Sequence, residues 1–205
     1  MRGLPPVPPL PEHSAGRVPH YVWVALLLLG LLWALHSVSR PTAPEGAVTL
    51  RQALASLPQQ PHEPPQPVVL PHILDDQPAA WWGQVDYRLD WPPELHYDDP
   101  AQTRLALLLP RVGTRFRVLL NGQEIYQIGW YAAPERNILS AWFPYLVSLP
   151  PALLQPNPQH NTIHIQVQGQ LLERSGLWPL QIGYHGTLFE RHQVLEVWQV
   201  KGTWM

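Results

Sequence analysis

The side chains best suited to recognition are aromatic and lie between segments of alternating polarity: Trp81-Trp82, Trp130-Tyr131, Trp142-Phe143 and Trp178. A flat ring stacks on the apolar face of a sugar, and a neighbouring Arg, Asn or Gln can bond its hydroxyls. Arg136 and Asn137 follow Trp130-Tyr131 closely enough to share a rim with them. Trp130, Tyr131, Arg136, Trp142, Trp82 and Trp178 are therefore the candidate ligand or partner surface. The competing use of such residues is structural, because tryptophans in a small sandwich often plug the ends of its core. Tyr87 and Trp91 fall on the buried side of an alternating segment and are expected in the core.

Catalysis needs groups that converge in a pocket, and no such set is visible. The acidic pairs Asp75-Asp76 and Asp98-Asp99 sit in turn-rich segments, where adjacent carboxylates are usually solvated. The chain lacks HExxH, GxSxG and Walker A patterns. It holds ten histidines, but His160 and His164 straddle a predicted strand, which separates residues four apart. The expectation is a chain with no catalytic residues, no metal site and no cofactor. There is no cysteine, which removes disulfides and thiolate chemistry. A net charge of −2 gives no electrostatic case for nucleic acid.

These residues must be positioned by elements, and the first is apolar. Residues 22–35 read VWVALLLLGLLWAL, with no charge between Arg17 and Arg40. A helix over residues 21–39 rises about 28 Å at ~1.5 Å per residue, close to a ~30 Å hydrocarbon core. Trp23 and Trp33 lie near its ends, where indole rings favour the headgroup level. The long leader, with Pro5, Pro6, Pro8, Pro9 and Pro11, favours an uncleaved anchor over a cleaved signal. The free N-terminal amine tips the charge balance toward a cytoplasmic N-terminus. The expected location is a bacterial inner membrane, crossed once, with the remainder in the periplasm.

Prolines, 26 of 205 residues, divide the rest. The expected organisation is a Pro-rich leader over 1–20, an anchor over 21–39, a juxtamembrane linker over 40–67, a binding domain over 68–186 and a C-terminal helix over 187–205. Within the linker, residues 49–57 (TLRQALASL) could form a two-turn helix capped by Thr49. From residue 68 the period becomes two. Residues 85–91 alternate apolar and charged, 103–109 are nearly all apolar, and 115–120 alternate again before Asn121-Gly122, which predicts a type I′ hairpin into 123–128. Further strands are expected at 145–149, at 161–168 and at 177–182, the last at an edge because of Pro179. Thr187 and Glu190 have capping-box spacing, with Leu188, Arg191, Leu195 and Trp198 on one helical stripe. The chain stops at Trp204-Met205 without a terminating signal, as a fragment would. The fold class is all-β, an antiparallel jelly roll or β-sandwich preceded by a single transmembrane helix.

The order Trp82, Tyr87-Arg88, Val118-Leu119-Leu120-Asn121-Gly122, Trp142-Phe143-Pro144, Asn161-Thr162-Ile163-His164-Ile165, Gly176-Leu177 and Ile182-Gly183 resembles a known module. It is similar to the galactose-binding-like jelly roll that forms the periplasmic sensor region of bacterial membrane receptors, ahead of a histidine kinase or diguanylate cyclase. It also resembles the sugar-binding jelly roll of β-galactosidases and β-glucuronidases. The chain departs from the first pattern at Asp86-Tyr87-Arg88, where Trp is common in place of Asp86, and the output domain the resemblance implies is expected downstream of Met205. The resemblance implies an extracytoplasmic ligand-sensing domain of a signal-transduction protein. An envelope module that docks a protein partner, and an accessory sugar-binding domain of an exported glycoside hydrolase, are the alternatives. The partners expected are the membrane, a small-molecule or carbohydrate ligand, and a protein.

Overall fold

The computed structural model describes residues 20–39, 44–58, 60, 62–76, 83–129, 143–169 and 175–197. It contains two compact units, residues 1–41 and 42–205. In the first, helix α1 runs His20–Ser39. Its described side chains, 21–30 and 33, are nearly all solvent-exposed, Leu27 and Trp33 included. Among the described residues no helix is long and apolar enough to cross a membrane. The consecutive run of described side chains covers 21–30, where a span needs about 20 apolar residues. The helix therefore lies where the sequence places it, while the expected transmembrane helix is not itself observed.

The second unit is built from strands β1 (Ala47–Leu50), β2 (Gln52–Ser56), β3 (Gln66–Val69), β4 (His72–Ile73), β5 (Gln84–Asp90), β6 (Leu105–Leu109), β7 (Arg115–Leu120), β8 (Gln123–Ile128), β9 (Tyr145–Leu149), β10 (Thr162–Gln168), β11 (Gly176–Leu177) and β12 (Leu180–Tyr184), followed by helix α2 (His185–Glu196). Four strands form one sheet in the order β1-β12-β6-β9, and six form another in the order β3-β2-β5-β10-β7-β8. The short ribbon β11-β4 is a third. Every recorded pairing is antiparallel. This is the antiparallel sandwich expected from period-two patterning.

Alternation sets which side chains meet in the core. Val85, Tyr87 and Leu89 of β5, Phe116, Val118 and Leu120 of β7, and Ile163, Ile165 and Val167 of β10 are all buried in one cluster. They meet Leu105, Leu107 and Leu109 of β6 and Ile182 of β12 from the facing sheet. The other face of β6 is also covered: Ala106 and Leu108 pack with Leu188 of α2 in a second cluster. That double coverage explains the unbroken apolar run of β6. The β7–β8 hairpin turns at Asn121 (φ 52°) and Gly122 (φ 84°), both left-handed as a type I′ turn requires.

Four local readings are corrected. Residues 49–57 form no helix: β1 and β2 occupy them, bent at Arg51 from one sheet to the other. Pairing with β12, β3 and β5 buries Ala53, Ala55 and Leu57 and overrides the weak helical propensity. The residues read as a linker thus supply β1, β2 and half of β3, and Pro67 is accommodated because β3 is an edge strand. Pro179 does not make β12 an edge. It precedes the strand, so its missing N–H lies outside the ladder, and β12 sits between β1 and β6. Finally, α2 begins at His185, directly from β12, and Tyr184 is its N-cap with no side-chain cap, so Thr187 lies inside the helix and no capping box forms.

Candidate functional site

The strand registers give the sandwich two distinct ends. At the near end β1 begins and β12 finishes as neighbours, with Ala47 opposite Gly183. The chain therefore enters and leaves the sandwich side by side. At the far end, Gln84 of β5 pairs with Gln168 of β10, Gln168 with Arg115 of β7, and Phe116 with Ile128 of β8. Leu109 of β6 pairs with Tyr145 of β9 at the same end of the facing sheet. The described residues that flank segments 77–82, 130–142 and 170–174 thus belong to strand ends gathered at the far end.

The candidate residues divide accordingly. Trp82, Trp130, Tyr131, Arg136 and Trp142 lie outside the described residues. Trp178 is described, half-buried beside β11. The Arg111 guanidinium carbon lies 5.0 Å from the centroid of its ring, and the Trp178 N–H donates to the Arg111 carbonyl at 3.4 Å. One face of the indole therefore carries an internal cation–π contact rather than standing bare. Arg111 was not foreseen. Its only sequence signal is its place after Pro110, where the apolar run of β6 ends.

Several buried polar groups gather at the far end. His72, Thr114, Arg115 and Ser175 are buried there, and each is engaged in polar or ring contacts. The His72 Nδ1 lies 2.9 Å from the Tyr87 hydroxyl, with the rings edge-on at 5.7 Å. Burial lowers the His72 pKa from its usual range and raises that of Tyr87, so the pair is held neutral. Gly176 (φ 155°) lets β11 approach β4 so closely that a Cβ there would lie 2.2 Å from the His72 carbonyl oxygen. The strand ends here thus rest on a buried polar base, His72 and Tyr87 at its centre.

The near end is held by asparagines. Asn161, 1 % exposed, donates through Nδ2 to the Tyr97 hydroxyl (2.8 Å) and the Pro158 carbonyl (2.8 Å). Its Oδ1 accepts from Gln155 N (2.9 Å) and Asn121 Nδ2 (2.9 Å). Asn121 also donates to the Leu153 carbonyl and accepts from Thr162 N. The Asn-led strand and the Asn-Gly turn are thus one structural clamp and not a ligand site.

The outer face of the six-stranded sheet carries a polar row. Gln166 Nε2 donates to Asp86 Oδ2 (3.1 Å), Arg117 Nε donates to Gln166 Oε1 (2.5 Å), and Arg117 pairs with Glu124 (3.5 Å). Asp86 Oδ1, which has no hydrogen-bond partner among the described residues, lies 3.4 Å from His164 Nδ1. Arg88 lies 3.8 Å from Asp90 of its own strand, an exposed pair of little energetic weight. Among the described residues no three metal-binding side chains gather.

No protein-family model and no curated protein sequence matches the chain. Solved structures do. A β-glucuronidase from Ruminococcus gnavus aligns at 13 % identity and a TM-score of 0.49, over 71 % of this chain and 30 % of that one. A family 2 β-galacturonidase from Eisenbergiella tayi aligns at 13 % identity and 0.49, over 70 % and 25 %. A family 2 glycosyl hydrolase from Bacteroides cellulosilyticus aligns at 13 % identity and 0.47, over 67 % and 20 %. This chain spans 20 to 30 % of the length of those enzymes.

Proposed function

We propose that this chain is a non-catalytic recognition module, tethered to the bacterial inner membrane by α1 and exposed in the periplasm, that binds a carbohydrate at its far end. One observation carries the reading: the strand ends flanking the aromatic-rich segments lie opposite the end where β1 enters and β12 leaves. A ligand surface remote from both chain connections is free to meet a ligand while the module is held from behind. The aromatic content of segments 77–82 and 130–142 supports a sugar over an anionic or nucleic-acid ligand. The apolar stretch at 22–35 supports the tether.

The test is a glycan array probed with the full chain in detergent micelles. Retention on one carbohydrate class, lost in both Trp130→Ala and Trp142→Ala, is the expected result. Absence of retention on any glycan, or retention unchanged in those variants, overturns it.

Side-by-side connections also favour a sensing role, since a ligand-driven change in the sandwich reaches both chain ends through one strand pair. The accessory domain of an exported glycoside hydrolase is the other host for such a module. The gene beyond the Met205 codon separates them: membrane spans and an output domain support the sensor, and a barrel domain supports the hydrolase.

A further inference from the structure

A concavity lies at the near end, and nothing in the proposed function uses it. It is a groove of about 320 Å³ between the start of β1 and the turn that follows β5. Val48 and Leu95 supply apolar wall, and Glu94, His96 and Tyr184 supply its polar groups. Among the described residues none of these three side chains has a hydrogen-bond or ion-pair partner. Tyr184 is 46 % exposed, and its ring lies beside Gly46, where a Cβ would come within 3.5 Å of the Tyr184 Cδ2.

We propose that this groove binds an organic cation, an alkylammonium or alkylguanidinium group, with its charge between the Glu94 carboxylate and the Tyr184 ring face and its alkyl chain against Val48 and Leu95. The chemistry selects this class. Glu94 is the charged residue of the lining, and no Lys or Arg is among the lining residues, so an anion is repelled. An aromatic face attracts a cation through its quadrupole. A neutral polyol could stack on Tyr184 but would gain nothing from the Glu94 charge. The groove also has a mechanical meaning, because it joins the first residues of the incoming strand to the last residue of the outgoing one. A bound cation would clamp β1 against the β12–α2 junction. The inference is independent of what binds at the far end.

The experiment is a titration of the full chain in detergent micelles, followed by amide NMR at constant ionic strength. The probes are n-butylammonium and n-butylguanidinium, with n-butanol and butyrate as neutral and anionic comparisons. Saturable shifts at Gly46, Val48, Leu95 and His96 are expected for both cations, with a Kd on the order of 1 mM, as suits a small open site. Glu94→Gln and Tyr184→Leu are each expected to weaken binding about tenfold, or about 1.4 kcal/mol. Both positions are exposed, and unchanged amide shifts at Leu107 and Ile165 show that the fold is intact. The inference fails if neither cation gives a saturable shift, if butanol binds as tightly, or if Glu94→Gln leaves affinity unchanged. Nα-acetyl-lysine methylamide separates the sources. Binding equal to that of butylammonium supports the site and assigns it to a partner's side chain; butylammonium binding alone supports it as a site for a free amine.

Discussion

Replacing Asn161 with alanine tests the clamp that closes the near end. Four hydrogen bonds converge on this amide, but their loss is uneven. The Gln155 N–H has the Asn161 oxygen as its recorded partner and is stranded, which costs about 2 kcal/mol. The other three partners keep alternatives: Tyr97 still donates to the Gln155 carbonyl, Asn121 to the Leu153 carbonyl, and the Pro158 carbonyl still accepts from Asn161 N. Each of these loses about 0.5 kcal/mol, so the expected total is about 3.5 kcal/mol. For a domain of this size that is a fall in Tm of about 10 °C. Equilibrium unfolding of the full chain in micelles, followed by tryptophan fluorescence, measures it. Asn157→Ala is the comparison, since its side chain makes an exposed turn bond to Gln159 N and should cost under about 1 kcal/mol. Asn161→Asp keeps both accepted bonds but turns an oxygen toward the Pro158 carbonyl; below about pH 4 the new carboxyl regains a donor and part of the loss should return. If Asn161→Ala costs less than about 1 kcal/mol, the network does not hold the near end together.

Two further outcomes are expected. Gly183→Ala would place a Cβ 2.7 Å from the Ala47 Cα and Cβ and the Gly46 carbonyl oxygen, forcing β1 off β12. Hydrogen exchange at Val48 and Thr49 should accelerate at least about tenfold while Ile163 and Ile165 stay protected, and unchanged exchange would show that the sheet yields elsewhere. His72 titrates below its ordinary 6.5 because burial disfavours its charged form. The unfolded chain therefore binds more protons than the folded one at and just below that value, so the His72 contribution is full above about pH 7 and is lost as pH falls through 6.5 toward the folded pKa. Unfolding free energies between about pH 7 and 5 should fall less steeply in His72→Gln than in the wild type, and parallel slopes would refute the assignment.

Much of the sandwich was written in residue order. Period-two alternation identified the buried faces of β5, β7 and β10, because one face of a half-buried strand must be apolar whatever the strand pairs with. The unbroken run in β6 announced cover on both sides, and α2 provides the second layer. Asn121-Gly122 announced its own turn, since few other residue pairs tolerate two left-handed conformations.

What escaped the sequence depends on partners distant along the chain. Residues 49–57 carry a weak helical pattern, and only the ladders offered by β12 and β5 made two strands the better state. The Asn161 amide has ordinary surroundings in sequence, yet it gathers Tyr97, Asn121 and Gln155 from three separate segments. The groove of Glu94, His96 and Tyr184 likewise exists only because β1 and β12 pair beside the turn after β5. Hydrophobic periodicity is a local property and can be read along the chain. Polar convergence is set by which strands become neighbours, and tertiary structure alone decided it.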